Sequence, residues 1–245
     1  MTVNDILQFL DSKYPLSLAA EFDNCGLLIG DKNTKVKSGV IALDCTAETI
    51  EFAKEIGANL IVTHHPIMFS GIKKIPADSI EYRLISNGIS LISMHTNLDV
   101  AAGGVNDCLC SVLGLKNVKR LPTDDFYIRI GEIESISPDA FAKSVSLSLN
   151  TTVKYVAGKS DIKKVGVCSG SGGEYIDCAL KSGADAFVSA DIKHHLFIDA
   201  ENRGYTLIDA GHRATEEVVI ETLEKQLNGK FGGFKVFYSK TIKFA

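Results

Sequence analysis

The stretch from Gly39 to His65, GVIALDCTAETIEFAKEIGANLIVTHH, decides the fold. Gly39–Asp44 is a short, β-branched apolar run and predicts a strand. Thr46 and Thr49 stand at the spacing of an N-cap and its third helical residue, and Gly57 follows the last apolar position, so residues 46–57 predict a helix. Ile50, Ala53 and Ile56 recur at intervals of three and give that helix one apolar face. Asn59–Thr63 is almost unbroken in its apolarity, the pattern of a strand buried on both faces. Strand, helix, strand in this order predicts parallel pairing and α/β layering.

The pattern continues outward. A helix over Ser79–Asn87 and a strand over Ile89–Ser93 extend the first half. In the second half, Lys164–Cys168, Asp185–Ser189 and Tyr205–Ile208 predict strands. Gly172–Ser182 and Lys193–Arg203 predict helices closed by Gly183 and Gly204. Aligning the halves sets Gly57 against Gly183 and Gly88 against Gly204, an internal repeat of elements and stops. The expected fold class is α/β: two similar three-layer α/β/α lobes from a tandem duplication, with mainly parallel or mixed sheets. They span 1–124 and 125–245, the boundary falling near Pro122–Asp125. Phe126–Glu134, a helix over Ser137–Leu149 and Thr151–Val156 are less repetitive, and Lys235–Phe244 reads as a closing strand exchanged between lobes.

The 245 residues are 45% hydrophobic and 23% charged, the balance of an ordinary globular protein. No uncharged apolar run approaches the ~20 residues of a membrane helix, and the N-terminus has no basic lead-in to mark a secretion signal. A net charge of −4 argues against nucleic acid as the main partner, since phosphate binding draws on Lys and Arg. Lys116, Lys119 and Arg120 form the one basic cluster, read as solvated cations. Six scattered cysteines without a C-x-x-C pair read as reduced thiols of a cytoplasmic protein.

In open parallel sheets, ligands bind beyond the carboxyl ends of the strands, and four histidines fall there. His64 and His65 follow the strand 59–63, His95 follows 89–93, and His212 follows 205–208. The lobes could therefore share one site in the cleft between them. Neighbouring residues on extended backbone point in opposite directions, which leaves one of the His64–His65 pair open to a purely structural role. Pro66 restricts His65 to extended geometry. His95 to Gly104 reads as a polar loop, either a plain turn or a mount for Asp99 as an oxygen ligand. His212 and Glu216, four apart, share one helix face, either as a solvated pair or as two ligands. Three imidazoles and two carboxylates suit Zn²⁺, Mn²⁺ or Fe²⁺ better than Ca²⁺. Five ligands exceed what one open catalytic metal uses. With Glu216 bridging, they serve two divalent metal ions about 3.5–4 Å apart.

The segments EFDNCGLLIGD (21–31), THHPIMF (63–69), HTNLDVAAGGVND (95–107), DIKHH (191–195) and DAGHRATE (209–216) together resemble the NGG-interacting-factor-three-like family of dinuclear metal proteins, whose bacterial members are labelled GTP cyclohydrolase I type 2 homologues. The resemblance implies two α/β lobes, a two-metal site between them, and a ring-shaped homohexamer enclosing a cavity. Carried over by motif, the metal ligands are His64, His65, Asp99, His212 and Glu216. Phe22 stands where the family often has Trp, and Ala102 where Pro is usual; neither change removes a ligand. Longer members carry an inserted domain for which this chain has no room.

The resulting expectation is a metal-dependent hydrolase using a metal-bridging hydroxide on a small-molecule substrate, a purine nucleotide such as GTP if the label holds. His95, His194 and His195 are candidates for proton transfer or substrate contact, with His95 alternatively orienting a ligand. The chain has no P-loop, so phosphate recognition would fall to scattered cations and helix N-termini. The alternative is a non-enzymatic, metal-loaded oligomer that binds a partner or a regulator.

Overall fold

The structure, a computed structural model, describes residues 1–121 and 127–239. In chain order its first elements are α1 (Val3–Lys13), β1 (Gly26–Ile29), β2 (Gly39–Ala42), α2 (Ala47–Glu55), β3 (Leu60–Thr63), α3 (Ile80–Ser86), β4 (Ser90–Ser93) and α4 (Thr96–Val100). Next come α5 (Val105–Val112), β5 (Lys116–Arg120), β6 (Arg129–Ile136), α6 (Pro138–Ser148), β7 (Lys154–Val156) and β8 (Ile162–Ser171). The chain closes with α7 (Ile176–Lys181), β9 (Ala186–Ala190), α8 (His194–Arg203), β10 (Thr206–Asp209), α9 (His212–Glu216), α10 (Ile220–Lys230) and β11 (Phe234–Val236). Among the described residues no helix is long and apolar enough to cross a membrane.

Two compact units result. One comprises Met1–Ala102 with Ile220–Ala245, the other Gly103–Val219. This differs from a single division at 124/125. That point itself, like Pro122–Asp125, lies outside the described residues. The C-terminal segment returns to the first unit because β11 pairs in parallel with β2, Phe234 opposite Gly39. Of the expected strand Lys235–Phe244, residues 235–236 belong to β11, and residues 240–245 lie outside the described residues.

The first unit's sheet has the order β1-β4-β3-β2-β11, parallel except for β1 against β4. Helix α2 starts as the sequence indicates. The Thr46 side chain accepts from the Thr49 amide while the Thr49 side chain accepts from the Thr46 amide, a capping box at the predicted position. Strand alternation sends Val40, Ile61 and Leu91 to one face, where they pack with Ile50, Ala53 and Leu84 of α2 and α3. Ile41, Val62 and Ile92 are equally buried on the other face. Each such aliphatic side chain contributes roughly 1.5–3 kcal/mol by leaving water.

The second unit's sheet runs β5-β6-β8-β9-β10-β7, with β8, β9 and β10 parallel and the remaining pairs antiparallel. Val165, Val167 and Val188 face Phe141 and Val145 of α6 and Leu109 of α5. Phe187 and Leu207 face Ala179 of α7 and Phe197 of α8. Helices therefore cover both faces of this sheet, and neither unit closes into a barrel. Lys116, Lys119 and Arg120 lie on the fully exposed edge strand β5. The expected helix over Gly172–Ser182 is a 3-10 turn over Gly173–Tyr175 followed by α7, with Gly172 held by its amide donating to Ser189 Oγ at 3.0 Å.

Candidate metal centre

In the first unit the parallel register sets Ala42, Thr63 and Ser93 side by side, so the segments leaving β2, β3 and β4 emerge at one edge of the sheet. Those segments carry Asp44, His64 with His65, and His95. Two buried hydroxyls fix the histidine backbone: Thr63 Oγ1 donates to the His65 carbonyl at 2.8 Å, and Ser93 Oγ to the His64 carbonyl at 2.8 Å. The His64 and His65 rings do not diverge as extended neighbours would. Their centroids are 4.9 Å apart, and the His95 ring lies 5.1 Å from that of His64. The chain bends after β3, which turns both rings to one side. One ring nitrogen from each of the three lies within 4.8 Å of the others, close enough to hold a metal ion.

The hydrogen bonds determine which nitrogen each ring presents. His64 Nδ1 is 2.9 Å from the Met94 carbonyl, which can only accept, so the proton sits on Nδ1 and the lone pair on Nε2. His65 Nδ1 donates to Asp44 Oδ1 at 2.7 Å, and His95 Nδ1 to Asp23 Oδ1 at 2.9 Å. An imidazole whose Nδ1–H is held by an oxygen acceptor is oriented and made a better Nε2 donor toward a cation.

Residues 95–104 are not the expected loop. His95 caps the short helix α4, whose five residues are all buried, and the Asn97 side chain donates to the Tyr14 carbonyl at 2.7 Å. Asp99 is thereby mounted on a helix, with its Oδ1 3.7 Å from His64 Nε2. That separation exceeds a hydrogen bond and lies within the span of two metal–ligand bonds of about 2.0–2.2 Å each. The His95 Nδ1 is committed to Asp23, which leaves its Nε2 on the side of the cluster. Burial alone would raise the Asp23 pKa, but hydrogen bonds from His95, Thr96 and Cys25 outweigh it and hold the carboxyl well below its usual range. Burial, then the hydrogen bond to Asp23, pushes the Cys25 thiol up to about 12, so it is protonated at neutral pH.

The second unit repeats the device. His212 opens α9 after β10. Its Nδ1 lies 2.6 Å from Asp191 Oδ2, and its Nε2 lies 3.0 Å from Oε1 of the buried Glu216. Asp191 follows β9 with φ 51°, a left-handed conformation that Asp tolerates better than most residues. The Gly170 amide, near the end of β8, donates to Thr215 Oγ1 at 3.0 Å, next to Glu216 on α9. Gly170 itself has φ 60°, and a Cβ there would collide with Glu216 Oε1, so only glycine lets the carboxylate lie against this backbone. The Glu216 hydrogen bond raises the His212 pKa to about 9; burial opposes it, and Asp191 adds to the rise. His194 and His195 are exposed on the first turn of α8.

Each sequence-derived ligand thus lies at a strand end or on a helix just after one. The acceptors Asp44 and Asp191 went unread, although Asp191 belongs to a quoted motif and Asp44 ends the predicted strand 39–44; Asp23, with Glu21 and Asn24, is read from the sequence as either near the site or an anchor of the N-terminal turn. The donor sets fit a borderline divalent cation: imidazoles that present Nε2 with carboxylates beside them, and no cysteine in the metal-holding groups among the described residues.

The Duf34/NIF3 (NGG1p interacting factor 3) family model matches residues 1–243. A protein of Clostridium perfringens named GTP cyclohydrolase 1 type 2 homolog is 34% identical, the match covering 92% of this chain and 91% of that protein. One of the same name from Campylobacter jejuni is 35% identical, with 93% and 92% covered. Among solved structures, the Staphylococcus aureus hypothetical protein SA1388 matches with a TM-score of 0.90 and 31% identity over 100% of this chain and 99% of that one.

Proposed function

The chain belongs to the DUF34/NIF3 family, and from that premise we propose that it holds two divalent cations and uses them in hydrolysis. The ligands of this reading are His64, His65, Asp99, His212 and Glu216. One observation carries it: His64, His65 and His212 each have Nδ1 held by an oxygen acceptor, which leaves Nε2 as the metal-binding atom in all three. A stack of merely structural histidines has no reason to share one orientation. Five ligands serve two cations when one carboxylate is shared, and zinc, iron and manganese suit the donor set.

Bound cations supply Lewis acidity and acidify water near neutral pH. The protein's own residues do the rest. Asp44 and Asp191 fix the imidazoles, and the buried carboxylates of Asp99 and Glu216 offset the cations' charge. His95, fixed through Nδ1 by Asp23, has Nε2 for accepting and returning a proton. His194 and His195 are exposed on α8 and take no part in this scheme. The relatives' name supports a purine nucleotide as substrate, whose ring opening consumes water.

The test is turnover. Protein reconstituted with zinc, iron(II) or manganese(II) is assayed against nucleotides and cyclic amides, beside Glu216→Gln. Metal-dependent turnover that falls about 100-fold or more in Glu216→Gln supports the reading. Metal-replete protein that turns over none of them, or turnover indifferent to Glu216→Gln, contradicts it.

A further inference from the structure

The first unit also carries an open cavity of about 610 Å³ between the segment Glu21–Asn24 and the loop Met68–Ile75, within the range of small-molecule sites. Its walls are tied together, because the Asn24 side chain donates to the Met68 carbonyl at 2.9 Å across 44 residues of sequence. Two aromatic rings line it while facing solvent: Phe22 is 70% and Phe69 58% exposed. Such exposure leaves their faces available for stacking. Ile72 and Ile75 add apolar wall, and both are exposed as well.

The cavity adjoins the histidine cluster through two shared residues. Asp23 lines it and holds His95 Nδ1. Phe69 lines it and sets its ring edge-on to His95 at 5.8 Å. A molecule in the cavity therefore sits beside the imidazole assigned to proton transfer. The charge of the lining selects what fits. Among the described residues lining it, Glu21, Asp23 and Glu81 are acidic and none is Lys or Arg. Asp23 is consumed by His95, Thr96 and Cys25, whereas Glu21 and Glu81 also line this aromatic-walled space. Carboxylates repel phosphate and accept strongly from N–H groups.

The geometry points to a subsite for a planar, nitrogen-rich ring: a neutral or cationic heteroaromatic with N–H donors, stacked on Phe22 and Phe69, with any phosphate directed away from it. This deepens the hydrolase reading and rests on it, since the ring is placed next to His95 of that site. The ring's recognition, however, is measurable without turnover.

The probe is 2-aminopurine riboside, whose fluorescence is quenched by stacking, titrated into the full-length wild type, Phe22→Ala, Phe69→Ala and Glu21→Gln, with metal content measured on each. The expected result is saturable quenching by the wild type and affinity about tenfold weaker in each phenylalanine variant, with metal content unchanged. Naphthoate, a ring of similar size bearing a carboxylate, is expected to compete at least tenfold less well than guanosine. Wild-type protein that binds metal but not the probe overturns the subsite and leaves the metal reading standing. Protein that binds the probe but no metal does the reverse. Equal competition by naphthoate overturns the charge selection. A change of oligomeric size in Phe22→Ala with probe affinity unchanged overturns the subsite too, because the aromatics then belong to a contact between copies.

Discussion

Asp191 holds the Nδ1 of His212 at 2.6 Å from a left-handed backbone conformation, φ 51°. The carboxylate reaches the ring because β9 and β10 are parallel neighbours, with Ser189 opposite Asp209, so the residues that follow each strand leave the sheet together. Asp191→Ala removes the acceptor and places a Cβ-bearing residue without a local hydrogen bond in a conformation costing about 1–2 kcal/mol. Its affinity for zinc, read by competition with a chelating dye, is expected to fall about 10–100-fold. Asp191→Asn keeps an oxygen acceptor and tolerates the backbone, and it should retain most of the affinity. Equal affinity for wild type and Asp191→Ala would remove Asp191 from the account.

Gly170→Ala tests the packing beneath Glu216. The added methyl meets Glu216 Oε1, which is enclosed, and the φ of 60° adds about 1–2 kcal/mol of strain. Thermal unfolding should shift down by several degrees. Zinc binding should weaken with it, because the carboxylate must move to make room. An unchanged melting temperature with unchanged zinc affinity would show that Glu216 is not fixed by this contact.

His212 ties the site to pH. Its pKa in the metal-free protein is raised to about 9, chiefly by Glu216. A raised pKa means the folded state favours the protonated ring. The stabilisation is complete below the unfolded value near 6.5 and disappears as pH climbs through about 9. A cation at Nε2 must displace that proton. Calorimetric titration with zinc at pH 7 is therefore expected to show a heat that varies with the buffer's ionisation enthalpy, about one proton released through His212. Glu216→Gln, which removes the main cause of the shift, should reduce that release. A heat identical in all buffers would contradict the assignment.

The proposed ligands are legible in the sequence for a physical reason. Strand ends in a parallel sheet are marked by the switch from apolar β-branched residues to polar ones, and Thr63–His64 and Asp209–His212 carry that mark locally. The acceptors that aim the rings carry none. Asp44 and His65 are 21 residues apart and Asp23 and His95 are 72 apart, so their pairing exists only once the register is formed. Helix α4 was hidden because its cap, His95, makes no side-chain capping bond to the helix, and its buried polar residues look like a loop. The point at which the chain leaves the second unit was hidden as well. A 3-10 turn over Glu217–Val219 runs straight into α10 with no linker composition to mark the crossing.

The most direct test of the central claim is an anomalous-difference map, recorded at the zinc edge from crystals of the wild-type protein saturated with zinc. Two peaks about 3.5–4 Å apart are expected, each bonded to imidazole through Nε2, with His64, His65, Asp99, His212 and Glu216 as the protein ligands. No peak at these residues, or peaks bonded through Nδ1 with the links to Asp44 and Asp191 broken, would contradict it.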